Sequence, residues 1–224
     1  MKAVLFDWDG TLVDSRGTVV EAYRRASREA LGIDFPATPT EEESVLTGHS
    51  RVSLAAVAPD PAALERVLEA LAAAYLRATP VLAFPGAAEL LDELRGAGVA
   101  IGIVTSKIRS SFEHDAAGLG LTDRIDAAIS GDEGYPPKPD PAPVLACLEA
   151  LGAAPDEALF VGDGPDDVTA GRGAGVRTVA ALHGFAPQTV LEVAPDRTIA
   201  SLEQLREVLA EELGVGLGLG GSPR

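Results

Sequence analysis

Ala3-Val4-Leu5-Phe6-Asp7-Trp8-Asp9-Gly10-Thr11-Leu12-Val13-Asp14-Ser15 decides how the rest of the chain is read. Four consecutive apolar residues ending at a charge predict a short strand. Two carboxylates separated by one residue at its end face one loop region, where one can attack phosphorus while the other handles a proton. A calcium loop beginning at Asp7 would need an oxygen ligand at position 11, glycine at 12 and glutamate at 18. Thr11, Leu12 and Thr18 stand there instead, so spacing excludes it. A plain strand-ending turn fits the same residues, and partners elsewhere in the chain must decide between the two.

Strand-like runs recur at residues 99–105, 125–130, 158–162 and 177–182, alternating with helix-like segments. This order predicts an α/β fold, a Rossmann-like parallel sheet with crossover helices. Residues 7–98 hold no convincing strand, far more chain than a crossover needs. Within them, Val20, Tyr23, Ala26, Ala30 and Leu31 mark one helix, and Pro61 opens another with Leu64, Val67, Leu68, Leu71 and Tyr75 at helical spacing. The expected organisation is an α/β core of residues 1–14 and 81–213, and an α-helical cap of residues 15–80 over the carboxyl ends of the strands. A flexible Gly-rich tail is expected at 214–224.

With 224 residues, 46% hydrophobic but only 4% aromatic, the chain builds its core from Ala, Val, Leu and Ile, which suits helices packed on a parallel sheet. A formal net charge of -16 repels nucleic acid, and an anionic substrate needs a dedicated cationic pocket. No apolar run approaches a membrane span, and residues 1–6 are too short for a cleavable signal, so a soluble cytoplasmic protein with no membrane partner is expected. Cys147 lies among Val144, Leu145 and Leu148 of a helical pattern and reads as a buried structural thiol. Oligomeric state has no signature in this sequence.

Three further strand ends carry chemistry. Thr105-Ser106-Lys107 follows Ile103-Val104 and offers hydroxyls and backbone N–H groups to a phosphoryl oxygen, although Thr and Ser also cap helices there. Lys138, one of three lysines against fifteen arginines, sits among four prolines in Tyr135-Pro136-Pro137-Lys138-Pro139-Asp140-Pro141. Proline stiffens that loop and holds the ammonium in place, as phosphate charge requires. Gly162-Asp163-Gly164-Pro165-Asp166-Asp167 again sets acids past an apolar strand, where they suit a hard cation or a helix N-cap.

Asp-x-Asp-Gly-Thr, then a hydroxyl, then Lys-Pro-x-Pro, then Gly-Asp-x-x-x-Asp resemble the haloacid dehalogenase superfamily of aspartate-nucleophile phosphatases, over residues 1 to about 187. The helical insert, residues 105–107, 138–141 and 180–185 look most like its phosphoglycolate phosphatase group and related bacterial pyrophosphatases. Trp8 replaces a smaller residue common between the two aspartates, and Asp166 stands where asparagine is frequent. Neither change removes a catalytic group.

The resemblance implies a Mg²⁺-dependent phosphatase of a small phosphorylated metabolite, a phosphoglycolate-like phosphomonoester, working through an aspartyl-phosphate. It implies Asp7 as nucleophile and metal ligand, and Asp9 as general acid and base with its backbone carbonyl on the metal. Asp163 is then a metal ligand, with Asp167 in the outer coordination sphere. Thr105 and Lys138 stabilise the phosphoryl oxygens, with Ser106, Trp8 and Gly10 beside the phosphate. From the cap, His49 and Arg51 are candidates for the substrate side, Arg51 as a grip on a second anionic group or as a solvated surface residue. A pyrophosphatase, a β-phosphoglucomutase-like phosphotransferase and a non-catalytic metal- and phosphate-binding regulator are the alternatives. The last has no use for Asp9.

Overall fold

A computed structural model describes residues 1–213; the expected tail at 214–224 lies outside the described residues. The chain enters through β1 (Ala3–Phe6), forms the short β2 (Val13–Asp14), and runs through α1 (Arg16–Leu31), α2 (Pro39–Thr47), α3 (Ser50–Ala55) and α4 (Pro61–Tyr75) to β3 (Leu82–Ala83). Then follow α5 (Ala87–Gly96), β4 (Ala100–Val104), α6 (Arg109–Gly118), β5 (Ala127–Ile129), α7 (Ala142–Leu151), β6 (Ala158–Gly162) and α8 (Pro165–Gly173). The last elements are β7 (Arg177–Ala181), α9 (Thr189–Glu192), β8 (Arg197–Ile199) and α10 (Leu202–Leu213).

Six strands form one parallel sheet in the order β5-β4-β1-β6-β7-β8. The chain winds outward from β1 through β4 to β5, returns to the other side of β1 as β6, and winds outward again. This reversal opens a crevice at the carboxyl ends of β1, β4 and β6. Phe6 pairs with both Ile103 and Val161, so the three strands end level with one another and their following residues share one rim.

Both sheet faces are covered, and β1 is divided between them by its two-residue period. Val4 and Phe6 pack with Leu90, Leu91, Ile101 and Ile103 on one side. Ala3 and Leu5 pack with Val144, Cys147, Leu148 and Phe160 on the other. Cys147 is fully buried, and burial pushes its thiol up to about 12, which makes it inert packing. A Cβ on Gly102 would lie 2.5 Å from the Cys147 sulfur, so glycine is what lets α7 approach β4. Gly102→Ala is therefore expected to destabilise the fold by about 1–3 kcal/mol through overpacking, read from the urea midpoint.

The helical segment leaves the sheet through β2 and returns through β3, an antiparallel pair with Val13 opposite Ala83 and Asp14 opposite Leu82. α1 and α4 pack lengthwise on each other, as their apolar stripes require. Asp60 caps α4 by accepting from the Ala63 N–H at 2.8 Å, and Pro61 occupies its first turn. Three features are absent from the sequence reading. α2 and α3 are short and separated by a single boundary at Gly48-His49. β2 and β3 have two residues each, too few for a periodic signal. β8 is an edge strand whose Arg197 and Thr198 are exposed, so its sequence lacks an apolar run.

Candidate active site

Past Phe6 the chain turns back on itself at once. The Trp8 carbonyl accepts the N–H groups of Leu12 and Val13, both at 3.1 Å, and Gly10 donates to the Val13 carbonyl at 2.8 Å. Gly10 has a φ of 81°, and a Cβ there would lie 2.2 Å from the Asp163 carboxylate. Only glycine meets both demands. Among the described residues the N–H groups of Trp8 and Asp9 have no hydrogen-bond partner, so the loop presents free donors at the crevice. His183 braces the loop from behind, its Nε2 lying 3.1 Å from the Thr11 carbonyl and its ring against Phe84.

The strand ends converge on a buried charged cluster. Carboxylate oxygens of Asp7, Asp163 and Asp167 all lie within 4.8 Å of one another. Lys138 Nζ donates to Asp7 Oδ1 at 2.7 Å, Asp167 Oδ1 at 2.6 Å and the Val104 carbonyl at 3.0 Å. Asp163 accepts from the Phe185 N–H at 2.6 Å, and Asp167 accepts from the Gly164 N–H at 3.0 Å. Burial, opposed by Lys138 and reinforced by Asp167 and Asp9, pushes the Asp7 carboxyl up to about 7. Burial, with Asp7 and Asp167 adding to it, also holds Asp163 well above the ordinary carboxylate range. Burial works against the Lys138 charge, but Asp167 and Asp7 outweigh it and raise its pKa. Three buried carboxylates face one ammonium, leaving negative charge that a divalent cation would offset. An all-oxygen donor set suits a hard ion.

A second cluster holds Asp9. Ser15 donates to Asp9 Oδ1 through its hydroxyl, and Lys107 Nζ lies 2.8 Å from the same oxygen. Lys107 also donates to Asp115 Oδ2 at 2.6 Å, and its ammonium lies 4.4 Å from the centroid of the Tyr75 ring. Asp115 further accepts from the Tyr75 hydroxyl at 2.7 Å and the Trp8 indole at 3.4 Å. The last residue of α4 is thereby tied to α6 and to the residue beside Asp9.

A cavity of about 390 Å³ lies over both clusters, lined by Asp7, Asp9, Thr105, Lys138, Asp163 and Asp167 from the sheet side, and by α1–α4 from the other. Of the residues picked from sequence, Ser106, His49 and Arg51 also line it. Thr105 Oγ1 accepts from the Lys107 N–H at 3.1 Å, so the hydroxyl shapes the turn as well as facing the cavity. Trp8, expected beside the phosphate, buries its indole against Phe112 at 5.0 Å because alternation along the chain turns it away from Asp7 and Asp9. Only its backbone is left for the site. Gly10 likewise spends its N–H on Val13 and contributes shape. Arg51 forks onto Glu65 at 2.6 and 3.1 Å, and His49 Nδ1 accepts from the Arg51 N–H at 3.3 Å as a helix cap.

Sequence reasoning missed Asp115, which sits beside the exposed His114 but is itself 4% exposed. It also missed the grip of Ser15, Lys107 and Tyr75. Lysine scarcity was the one available signal for Lys107, and residues 75 and 115 have no local spacing that reveals their contact.

A family model described as hydrolase, haloacid dehalogenase-like hydrolase, matches residues 1–175. A phosphoglycolate phosphatase of Rhodospirillum rubrum is 35% identical over 84% of this chain and 83% of its own length. An N-acetylmuramic acid 6-phosphate phosphatase of Pseudomonas aeruginosa is 34% identical over 83% of each. The crystal structure of a hydrolase from Pseudomonas syringae superposes with a TM-score of 0.81 at 27% identity, covering 94% of this chain and 99% of that one. The acid pair after β1, the lysine loop and the acids after β6 thus stand on a fold and a sequence that agree, and the chain belongs to the haloacid dehalogenase-like hydrolases.

Proposed function

We propose that the protein is a Mg²⁺-dependent phosphatase that hydrolyses a small phosphomonoester through an aspartyl-phosphate on Asp7. The observation that carries this reading is the placement of two acids of different surroundings on one cavity: Asp7 in the cluster of Asp163, Asp167 and Lys138, and Asp9 outside it, held by Ser15 and Lys107. An Asp7 oxygen attacks phosphorus and the bond to the leaving oxygen breaks as Asp9 gives that oxygen a proton. Asp9 then takes a proton from the water that attacks phosphorus and releases Asp7. Lys138, the Thr105 hydroxyl and the free N–H groups of Trp8 and Asp9 offset charge on the remaining phosphoryl oxygens. Asp7, Asp163 and the Asp9 carbonyl would hold Mg²⁺, with Asp167 in its outer sphere, and the ion when bound neutralises the carboxylate and phosphate that would otherwise repel each other.

Residues 15–80 serve in this reading as a cap that closes the leaving-group side of the cavity and limits water. The relatives' names point to phosphoglycolate and to an amino-sugar 6-phosphate, both phosphomonoesters, which is the class proposed here. Release of inorganic phosphate from 4-nitrophenyl phosphate is expected with Mg²⁺, lost with EDTA and restored by excess Mg²⁺. Release that is indifferent to EDTA, or none at all across simple phosphomonoesters, would sink the proposal.

A further inference from the structure

Resting on the phosphatase reading, we infer that the preferred leaving group is an uncharged, largely apolar body: the substrate is an aryl or branched-alkyl phosphomonoester rather than a compact molecule carrying a second anionic group. Within the cavity wall α1, α2 and α4 contribute an apolar patch of Val19, Tyr23, Val45, Leu46, Leu68 and Leu71, and polar or charged lining residues flank it at 47–51, at Ser106, Lys107 and Ser111, and at Asp132. A leaving group of that kind fills this wall, whereas a carboxylate placed against it would lose water and gain no partner.

Charge at the site agrees. Among the described residues, the lysines and arginines lining the cavity are Arg51, Lys107 and Lys138, and each is engaged: Arg51 with Glu65, Lys107 with Asp9 and Asp115, Lys138 with Asp7 and Asp167. His49 offers no substitute, because burial and the nearby Arg51 lower its pKa and its Nδ1 already accepts a hydrogen bond. Size agrees as well, since a two-carbon acid phosphate would leave most of a 390 Å³ cavity unfilled. Among the described residues that line the cavity, one buried side-chain polar atom lacks a partner. The Tyr23 hydroxyl, buried beside Ser50, makes no hydrogen bond of normal length, and burial keeps the phenol protonated. It is a single donor for a neutral oxygen on the leaving group. At longer range, a net charge of -16 disfavours approach of multiply charged substrates over singly phosphorylated neutral bodies.

The test compares kcat/KM, with Mg²⁺, for 1-naphthyl phosphate, 2-phosphoglycolate and pyrophosphate. The naphthyl ester is expected to lead both by at least about tenfold, the scale on which a few methylenes in an apolar pocket discriminate. Leu71 is half-buried and packs against the main core, so each Leu71 variant is compared only after its far-UV circular dichroism and Tm show it folded. Leu71→Ala should shrink the naphthyl-to-phosphoglycolate ratio, and Leu71→Arg should shrink it further by supplying the missing cation. Equal or better turnover of either charged substrate by the native protein overturns the inference while leaving the phosphatase reading intact. A ratio unmoved by both Leu71 variants overturns the assignment to this wall. No metal-dependent release from any of the three overturns both.

Discussion

Asp7→Asn is expected to lower phosphate release by roughly 10⁴-fold or more, because the amide cannot form the aspartyl-phosphate and no other carboxylate is placed to take its role. Asp9 is fixed by Ser15 and Lys107, while Asp163 and Asp167 are pinned by the Phe185 N–H, the Gly164 N–H and Lys138. Stability should move the other way. Burial pushes the Asp7 carboxyl up to about 7 from an ordinary 3.8 in the metal-free protein. A carboxyl whose folded pKa is raised favours folding below its unfolded pKa, and that contribution is lost as pH rises through the folded one. At pH 8 the ionised Asp7 therefore weakens the metal-free fold, and a neutral isostere relieves it while Lys138 keeps Asp167 as a partner. Thermal unfolding in EDTA should give Asp7→Asn a Tm at or above the native protein at pH 8, with the gap narrowing toward pH 4. Surviving turnover would remove Asp7 from the nucleophile role, and a large fall in Tm would make the loss of activity a folding defect.

What sequence reveals of this molecule follows the range of the interactions. The parallel sheet was legible because β1, β4, β6 and β7 are buried on both faces and read as apolar runs, whereas β8, an exposed edge, and the two-residue β2 and β3 had no such pattern. Asp7, Asp163, Asp167 and Lys138 could be picked out because each follows a strand or sits in a proline-stiffened loop, and strands of one parallel sheet deliver their ends to one rim. Orientation was another matter. Trp8 is 107 residues from its partner Asp115, and Tyr75 is 40 residues from it. Nothing in local spacing predicts such contacts, so no sequence signal singles out Asp115. Arg51 was open between anion grip and surface residue for the same reason, since Glu65 lies a helix away, on α4.

Lys138→Met is expected to remove activity and, unlike Asp7→Asn, to cost stability as well. The ammonium is buried, with a side chain only 7% exposed, and it is the sole cation in contact with Asp7 and Asp167 among the described residues. Without it three buried carboxylates stand together uncompensated. Stripping one partner from a buried ion pair costs about 3–5 kcal/mol, an expectation for the metal-free protein that urea unfolding in EDTA reads directly. Loss of the charge aimed at the phosphoryl oxygens should lower turnover by about 10²–10³-fold, the scale set by removing one preorganised donor. Lys138→Arg should rescue little, because a planar guanidinium cannot occupy a point where the Asp7 carboxylate, the Asp167 carboxylate and the Val104 carbonyl converge on one nitrogen within 3.0 Å. Mg²⁺ should raise the Tm of Lys138→Met more than that of the native protein, since the ion binds where the deficit of positive charge has grown. The two inactive variants thus part in opposite directions on stability, one relieving a surplus of negative charge and the other exposing it. If both changed Tm alike, repulsion among Asp7, Asp163 and Asp167 would not be what their burial implies.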